Sequence, residues 1–337
     1  MDKLDEKSFK AASGVNYVYW TAKANGDKQT ILLLHGCPDS ASLWSDLISS
    51  HLLPNGYGII APDLIGYGSS DKPEDVSFYS MNSICKDMMS LLEHEHTPKV
   101  IVLGHDFGVF LASKMYSFHP DAVIGLITLG SAYVPPSPVP FDFEQIKAMM
   151  EQYQGYCSIW YFELFTRDKG YQVIDANLES FFTALHGGGE RMKEVCCNQG
   201  AFEAWLKDEG NILKSVLPYA DRDGFREEWV ERLRRDGLRG PMNWYKAIAK
   251  GLITEADKEA LKNGTHVVAR PYLTVLALQD PLAPAVAVHG LATQGLLPEV
   301  SIKEVDAGHW SMYEKPKEVG DAVVSWLQEK HKGLIQL

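Results

Sequence analysis

Four uninterrupted apolar runs in the first 130 residues constrain the fold of this chain more than any other feature. They are TILLLHG (30–36), YGIIAPD (57–63), KVIVLGHD (99–106) and AVIGLITLG (122–130). Runs without polar alternation are typical of strands buried on both faces, as in a parallel sheet covered by helices. Because segments with a helical pattern separate these runs, their order predicts a doubly wound α/β core.

A proline-rich stretch then interrupts the pattern. It is YVPPSPVP (133–140), and proline is poorly tolerated inside helices and central strands alike. From about 141 to 254 the sequence has a helical pattern, frequent Trp and Tyr and no strand-like run. Strand character returns at PYLTVLALQD (271–280) and VSIKEVDAGH (300–309), and a final helix is expected over about 316–331.

These changes along the chain predict an α/β core that is interrupted by a mostly helical cap. A length of 337 residues allows such an insertion, because single hydrophobic cores stop growing near roughly 250 to 300 residues. The predicted division is a first core part, a cap and a second core part: 1–134, 135–254 and 255–337.

Charge and cysteine content narrow the possible partners and compartments. The chain has 44 acidic and 32 basic residues and a net charge of −12, so it would be repelled by nucleic acid and by anionic membranes. Five cysteines, two of them adjacent, favour reduced thiols over a disulfide framework. The first residues, MDKLDEKSFK, have no apolar core of the kind that secretion requires, and the sequence has no run of about 18 apolar residues. We expect no membrane insertion and a cytoplasmic location, with a peroxisomal address left open.

The third apolar run ends in a motif that carries chemistry. Gly104, Asp106 and Gly108 form a GxDxG pattern where a strand is followed by a helix. This arrangement is typical of a nucleophile elbow, here with aspartate in place of the usual serine. A carboxylate at a helix N-terminus stays ionised and can attack an electrophile. The alternative is that Asp106 only caps the helix that starts at Phe107.

Two further segments predict partners for this carboxylate. HGCP (35–38) follows the first long run, and the backbone N–H groups of Cys37 and Phe107 could together hold an oxyanion, although such a motif is also a common turn. Asp280 and His309 each follow a late strand, at the carboxyl edge where open α/β sheets bind ligands. Their chain order, nucleophile, acid and histidine, is the one expected for this kind of fold.

Taken together, five motifs resemble the epoxide hydrolases of the α/β-hydrolase superfamily: HGCP (35–38), GYGSSD (66–71), GHDFG (104–108), LQD (278–280) and AGHW (307–310). The resemblance covers nearly the whole chain and implies an α/β-hydrolase fold with a cap. In that cap, YFELF and RGPMNWYK resemble the segments that supply two ring-opening tyrosines. These map onto Tyr161 and Tyr245, with Tyr153 and Tyr156 as neighbours that a register error would select instead.

The resemblance also implies an activity, the hydrolysis of an epoxide to a vicinal diol, with a role in detoxification. Asp106 would attack a ring carbon and form a covalent alkyl ester, while Tyr161 and Tyr245 donate to the ring oxygen. His309, oriented by Asp280, would then activate the water that hydrolyses the ester. The expected partners are a small epoxide and water, without metal, nucleotide or redox cofactor, in a monomer or a homodimer.

Departures from the family pattern leave other functions open. Many members have an aromatic residue where Cys37 stands and tryptophan where Phe107 stands. A haloalkane dehalogenase generally needs an indole N–H beside the nucleophile, and phenylalanine offers no donor. A non-catalytic ligand receptor would not need the acid and both tyrosines, and an ester hydrolase normally has serine or cysteine at the elbow. Three tryptophans could line the substrate pocket or fill the core: Trp44, Trp160 and Trp310.

Overall fold

A computed structural model describes residues 1 and 3–335, and these form a single eight-stranded sheet in the order β1-β2-β4-β3-β5-β6-β7-β8. The strands are β1 (Asp5–Lys10), β2 (Asn16–Ala22), β3 (Thr30–Leu34), β4 (Gly58–Pro62), β5 (Val100–His105), β6 (Val123–Leu129), β7 (Tyr272–Ala277) and β8 (Val300–Val305). Strands β3 to β8 are parallel, whereas β2 pairs antiparallel with both β1 and β4. The predicted α/β class with a mostly parallel sheet is confirmed.

The central strands are hydrophobic for the reason inferred from the sequence. Every residue of β4, β5, β6 and β7 is buried, because helices cover both faces of the sheet. Hydrophobic side chains with no polar alternation are what such positions accept. Strand β8, at the edge of the sheet, is mostly half-buried or exposed.

Sequence reasoning missed the N-terminal hairpin of β1 and β2. Strand β2 does alternate between half-buried and buried residues, and Tyr17 and Tyr19 point into the core. The sequence of β2 carries no signal of period two, because Val18 and Trp20 on the half-buried face are as apolar as Tyr17 and Tyr19. Strand β1 is almost wholly exposed, so its composition carries no such signal.

Helices flank the sheet on both faces. Before β6 the α-helices are α1 (Ser45–Leu47), α2 (Met81–His94) and α3 (Phe107–Phe118). Short 3₁₀ or π segments lie at Ala41–Trp44, Ile48–Leu52, Leu53–Asn55, Val76–Tyr79 and Glu209–Leu213. After β7 come α13 (Val286–Thr293), α14 (Ser311–Glu314) and α15 (Pro316–Ile335), numbered after the nine helices of the insertion.

The chain between β6 and β7 is helical apart from its loops. It forms α4 (Phe143–Gln154), α5 (Phe162–Phe165), α6 (Gly170–Asp175), α7 (Leu178–Leu185), α8 (Gly189–Cys196), α9 (Ala201–Lys207), α10 (Phe225–Asp236), α11 (Arg239–Ala249) and α12 (Thr254–Lys262). This insertion is the mostly helical cap expected from the sequence. The boundaries 134/135 and 254/255 stay a prediction.

A buried ion pair joins both connections of the cap to the core. Lys114 of α3 lies 3.0 Å from Asp257 of α12, and the two side chains are 4% and 3% exposed. Lys114 also donates to the carbonyl of Pro135 at 3.1 Å, and the carboxylate of Asp257 accepts the N–H of Ser137 at 2.9 Å. The segment leading into the cap and α12, the last helix of the insertion, are therefore both fastened to α3, the helix that starts beside Asp106.

Candidate active site

The turn from β5 into α3 holds Asp106 in a backbone conformation that is rare for a residue with a side chain. Its φ is 53° and its ψ is −122°. A Cβ added to Gly104 would lie 2.3 Å from the carbonyl oxygen of Gly108, and one added to Gly108 would lie 1.9 Å from that of Leu34. Side chains cannot be accommodated at either position. The turn itself thus requires Gly104, and the close approach of the turn to the end of β3 requires Gly108.

The carboxylate of Asp106 faces the loop after β3. Its Oδ1 accepts the backbone N–H of Cys37 at 2.8 Å, and it makes no side-chain capping bond to α3. Gly36 permits this approach, because a Cβ there would lie 2.4 Å from the same oxygen. The side chain of Asp106 is 16% exposed. The capping alternative therefore does not describe this residue.

His309 and Asp280 come together beside Asp106. The Nδ1 of His309 donates to Oδ2 of Asp280 at 2.7 Å, and its Nε2 lies 3.8 Å from Oδ2 of Asp106. The second oxygen of Asp280 accepts the N–H of Leu282 at 2.9 Å. His105, the last residue of β5, donates from Nε2 to the carbonyl of His309 at 2.9 Å. Both the ring and the backbone of His309 are consequently fixed.

These three groups influence one another's charge. Burial raises the pKa of Asp106, while the charge of His309 and the N–H groups of Cys37 and Phe107 oppose that rise. Burial by itself lowers the pKa of His309, but the charges of Asp280 and Asp106 outweigh it and raise this pKa to about 9. For Asp280 the charge of His309 outweighs burial, so the pKa is lowered. At neutral pH the His309–Asp280 pair is therefore an ion pair.

The two tyrosines expected from the cap face each other over the same cavity. Tyr161 lies at the start of α5 and Tyr245 in α11; their ring centroids are 6.0 Å apart and the ring planes are nearly perpendicular, at 81°. The ring of Tyr245 also packs edge-on against Phe107 at 4.5 Å. Burial raises the pKa of both phenols well above the ordinary value, so both stay protonated at neutral pH.

The neighbouring tyrosines are placed elsewhere. Tyr153 is 70% exposed at the end of α4, and Tyr156 donates its hydroxyl to the carbonyl of Pro281 at 2.9 Å. Among the described residues neither is part of the cavity lining. The structure thus brings Tyr161, and not its neighbours, into the vicinity of Asp106.

A cavity of about 20 Å³ lies between the nucleophile and the cap. That volume is about what one water molecule needs. Its polar lining comes from Asp106, His309, Tyr161 and Tyr245, together with the thiols Cys37 and Cys196. The remaining lining residues are apolar or aromatic: Pro38, Phe165, Phe181, Leu185, Met192, Phe202, Leu282 and Trp310. A substrate of organic size can enter only if the cap or its side chains move.

Only one of the three tryptophans considered for the pocket lines this cavity. Trp310 does, next to His309. Trp44 is fully buried in the core of the α/β part, and Trp160 packs against Phe143 with the ammonium group of Lys147 over its ring. For Trp44 and Trp160 the pocket expectation is therefore not met, because their own local packing directs them elsewhere.

Sequence reasoning overlooked a buried carboxylate, Asp39. It is 2% exposed and its Oδ2 accepts the indole N–H of Trp310 at 2.8 Å. Burial raises its pKa to about 6, against the opposing charge of Arg232. The available signal was its position directly after HGCP, where a charged residue follows a motif at the end of a buried strand.

Two further properties concern the described part of the chain. Within residues 1 and 3–335, no cluster of three or more His, Cys, Asp or Glu side chains has an arrangement suited to a metal ion. None of the helices in the same residues is long and apolar enough to cross a bilayer.

Comparison with known proteins defines the class. A family model described as alpha/beta hydrolase fold matches residues 29–316, and the chain belongs to this family. Among solved structures, Epoxide Hydrolase A from Mycobacterium thermoresistibile superposes with a TM-score of 0.77 at 22% identity, covering 96% of this chain and 98% of that one. At that identity the likeness shows the fold alone.

Sequence relatives narrow the resemblance within the class. The chain is 35% identical over 228 residues to Epoxide hydrolase 3 of Siraitia grosvenorii. This match covers 66% of the chain and 67% of that protein. The chain is also 26% identical over 312 residues to Bifunctional epoxide hydrolase 2 of Mus musculus. That match covers 90% of the chain but 52% of the relative, so the chain spans about half the length of that protein. The resemblance to epoxide hydrolases of the α/β-hydrolase family is confirmed.

Proposed function

We propose that this protein hydrolyses an epoxide to a vicinal diol. The proposal rests on one observation: a nucleophile and two proton donors face each other across one small cavity. An aspartate held by a backbone N–H lies on the core side, and two protonated phenols lie on the cap side. The epoxide hydrolases among the sequence relatives support the same reaction.

Ring opening needs a nucleophile and an acid at the same time, because the ring oxygen leaves as an alkoxide. In the proposed first step an oxygen of Asp106 attacks a ring carbon, the carbon–oxygen bond breaks and an alkyl ester forms. The hydroxyls of Tyr161 and Tyr245 donate hydrogen bonds to the ring oxygen, and one of them transfers its proton to the alkoxide. Their raised pKa keeps the proton available at neutral pH.

The second step follows from the loss of charge in the first. The anionic carboxylate of Asp106 helps to raise the pKa of His309 to about 9, and the ester carries no such charge. The pKa of His309 therefore falls once the ester has formed. The imidazolium gives up its proton, which restores the tyrosine that protonated the alkoxide, and the neutral imidazole can then take a proton from water. The hydroxide formed attacks the ester carbonyl, and the N–H groups of Cys37 and Phe107 hold the oxyanion, a contribution of about 3 kcal/mol per donor. The intermediate then breaks its bond to the alkyl oxygen, which takes the proton from His309 and leaves as the diol, and Asp106 returns as the carboxylate.

The cavity wall favours a neutral epoxide. The cap contributes aromatic and aliphatic side chains and no cation to the lining, among the residues described. A carboxylate on the substrate would be buried near the anions of Asp106 and Asp280 without a partner, which is costly. Detoxification of apolar epoxides is the role we propose for such a site.

The alternatives lack equivalent support. A dehalogenase would need a donor for halide, and the side chain of Phe107 has none. An ester hydrolase with Asp106 as nucleophile would have to form an anhydride. A receptor would leave the fixed His309–Asp280 pair and the two phenols without a purpose.

The decisive experiment traps the ester. A His309→Gln variant is incubated with styrene oxide and examined by intact-protein and peptide mass spectrometry. We expect one equivalent of adduct on Asp106, because the step that removes it is disabled. An additional Asp106→Asn substitution is the control and abolishes the adduct. Absence of adduct in folded protein across aromatic, terpene and fatty-acid epoxides contradicts the proposal.

The acids are tested separately. Tyr161→Phe and Tyr245→Phe each remove one hydroxyl from the cavity, and each slows diol formation by about 10²-fold or more, as expected for a general acid. Tyr153→Phe, at the exposed position on α4, is the matched control and leaves the rate unchanged. Full activity in both cavity variants would remove the two phenols from the scheme.

A further inference from the structure

Cap helix α10 reaches the loop that holds the nucleophile. The guanidinium of Arg232 in this helix donates to the carbonyl oxygen of Pro38 at 2.8 Å. Pro38 directly follows Cys37, whose N–H is bound to Asp106. The cap therefore restrains Pro38 through one hydrogen bond. Pro38 adjoins Cys37, whose N–H is a donor of the proposed oxyanion hole.

The same loop continues to Asp39, a buried carboxylate that is linked to His309 through Trp310. The N–H of Asp39 is bound to the carbonyl of Gly36 at 3.0 Å, which closes the loop into a turn. Its Oδ2 accepts the indole N–H of Trp310 at 2.8 Å. The ring of Trp310 lies edge-on to that of His309 at 4.8 Å. The position of His309 is thus bounded on one side by a side chain that Asp39 holds.

The charge state of Asp39 depends on the cap as well. Burial raises its pKa to about 6, and the charge of Arg232 is the strongest opposing influence. The ionisable and polar groups that face it come from the cap, the elbow, its own loop and the segment after β8: Arg232, Tyr219, Asp106, Cys37, His309, Trp310 and Tyr313. Only Arg232 and His309 in this set carry a positive charge.

We propose that Arg232 is a positioning residue through which the docked cap completes the catalytic centre, an inference that rests on the proposed function. It holds the Pro38 carbonyl and so fixes the N–H of Cys37 on Asp106. It also keeps Asp39 anionic, and this anion holds Trp310 against His309. Ester hydrolysis needs both the N–H donor and His309, whereas ring opening needs neither directly. Loss of Arg232 should therefore slow the second step more than the first.

The test separates the two steps in single-turnover experiments with styrene oxide. Arg232→Met is expected to slow the decay of the alkyl-enzyme by about 10- to 100-fold, because a displaced oxyanion donor is costly, and to slow its formation by less. Arg234→Met is the matched control, since Arg234 lies in the same helix, is 53% exposed and pairs with Glu231 of that helix. It should leave both rates unchanged.

A spectroscopic measurement distinguishes positioning from general loss of structure. The indole N–H resonance of Trp310, identified with a Trp310→Phe variant, should titrate with a midpoint near the pKa of Asp39, about 6. Arg232→Met should move this midpoint upward, because the opposing charge is gone. Arg232→Lys keeps the charge but not the planar donor, so the midpoint should stay while the decay remains slower than in the wild type.

The outcomes decide between the two proposals. Wild-type decay in Arg232→Met, or equal slowing of both steps with an unchanged midpoint, overturns the role of Arg232 alone. If Arg232→Met does not fold, Arg232→Lys decides in its place: slower decay with the midpoint retained supports the role, and wild-type decay overturns it. Failure of the wild-type and His309→Gln proteins to form any alkyl-enzyme would instead refute the proposed function.

Discussion

The ion pair between Lys114 and Asp257 permits a quantitative prediction. Asp257→Asn keeps the shape of the side chain but removes its charge. It thereby leaves the Lys114 ammonium buried, 4% exposed, without its anionic partner at 3.0 Å. Breaking a buried pair from one side costs about 3 to 5 kcal/mol, because the remaining charge is not solvated. The amide oxygen can still accept one hydrogen bond, so we expect the lower part of this range, about 3 kcal/mol.

The pH dependence of the loss provides a second check. Burial already lowers the pKa of Lys114, and Asp257 is the largest influence that raises it. Removing Asp257 lowers the pKa further in the folded state, while the unfolded chain keeps a lysine pKa of about 10.4. Between these two values the unfolded state binds more protons, so stability rises with pH. The deficit of the variant should therefore shrink as the pH rises towards the lowered pKa that Lys114 has in the wild type.

Urea unfolding of the wild type and of Asp257→Asn at several pH values gives the measurement. Glu255→Gln is the control, because Glu255 lies in the same helix and pairs with Lys258 at an exposed position. Such surface pairs contribute about 0 to 1 kcal/mol. A loss below about 1 kcal/mol for Asp257→Asn, or a deficit that grows with pH, would show that the buried pair does not fasten the cap connections as described.

Three further predictions concern the elbow and the His309–Asp280 pair. Gly108→Ala should destabilise the protein by about 3 kcal/mol or more in urea unfolding, because its Cβ would lie 1.9 Å from the carbonyl oxygen of Leu34; an unchanged midpoint would contradict the packing of the elbow. Asp280→Asn should lower the pKa of His309 from about 9 and slow decay of the alkyl-enzyme by about 10²- to 10⁴-fold in stopped-flow measurements, since the largest charge that raises this pKa is lost; decay at the wild-type rate would exclude an orienting role. The rate of alkylation should fall as pH decreases through the raised pKa of Asp106, at a higher pH than for an exposed aspartate, and a rate that stays constant into the ordinary aspartate range would contradict its burial.

Much of the fold was readable from local patterns. The six predicted strands are present within the runs named from the sequence, and the proline-rich stretch does precede the helical insertion. Strand β1 could not be found this way, because its residues are exposed and pair with β2 through backbone groups that any side chain allows. Strand β2 was missed because its half-buried face carries Val18 and Trp20, so the sequence does not alternate between apolar and polar residues.

The site was predictable to different degrees. Asp106, Asp280 and His309 follow strands whose carboxyl ends share one edge of the sheet, so their proximity follows from topology once the strands are known. Tyr161 and Tyr245 rest on motif resemblance, and only the packing of α5 against α11 shows that their rings meet. The roles of all five residues remain proposals.

The sequence by itself determined the parallel core, the helical insertion and the elbow, because these depend on periodicity and on steric limits that act within a few residues. Gly104 is needed because its Cβ would meet the carbonyl of Gly108, four residues further on, whereas Gly108 is needed only because the turn packs against Leu34 at the end of β3. Only the tertiary structure decided that Trp310, and not Trp44 or Trp160, lines the cavity. It also decided that Asp39 binds the indole that packs against His309. The lining of a cavity depends on how helices far apart in the sequence pack together, and a linear pattern does not show that packing.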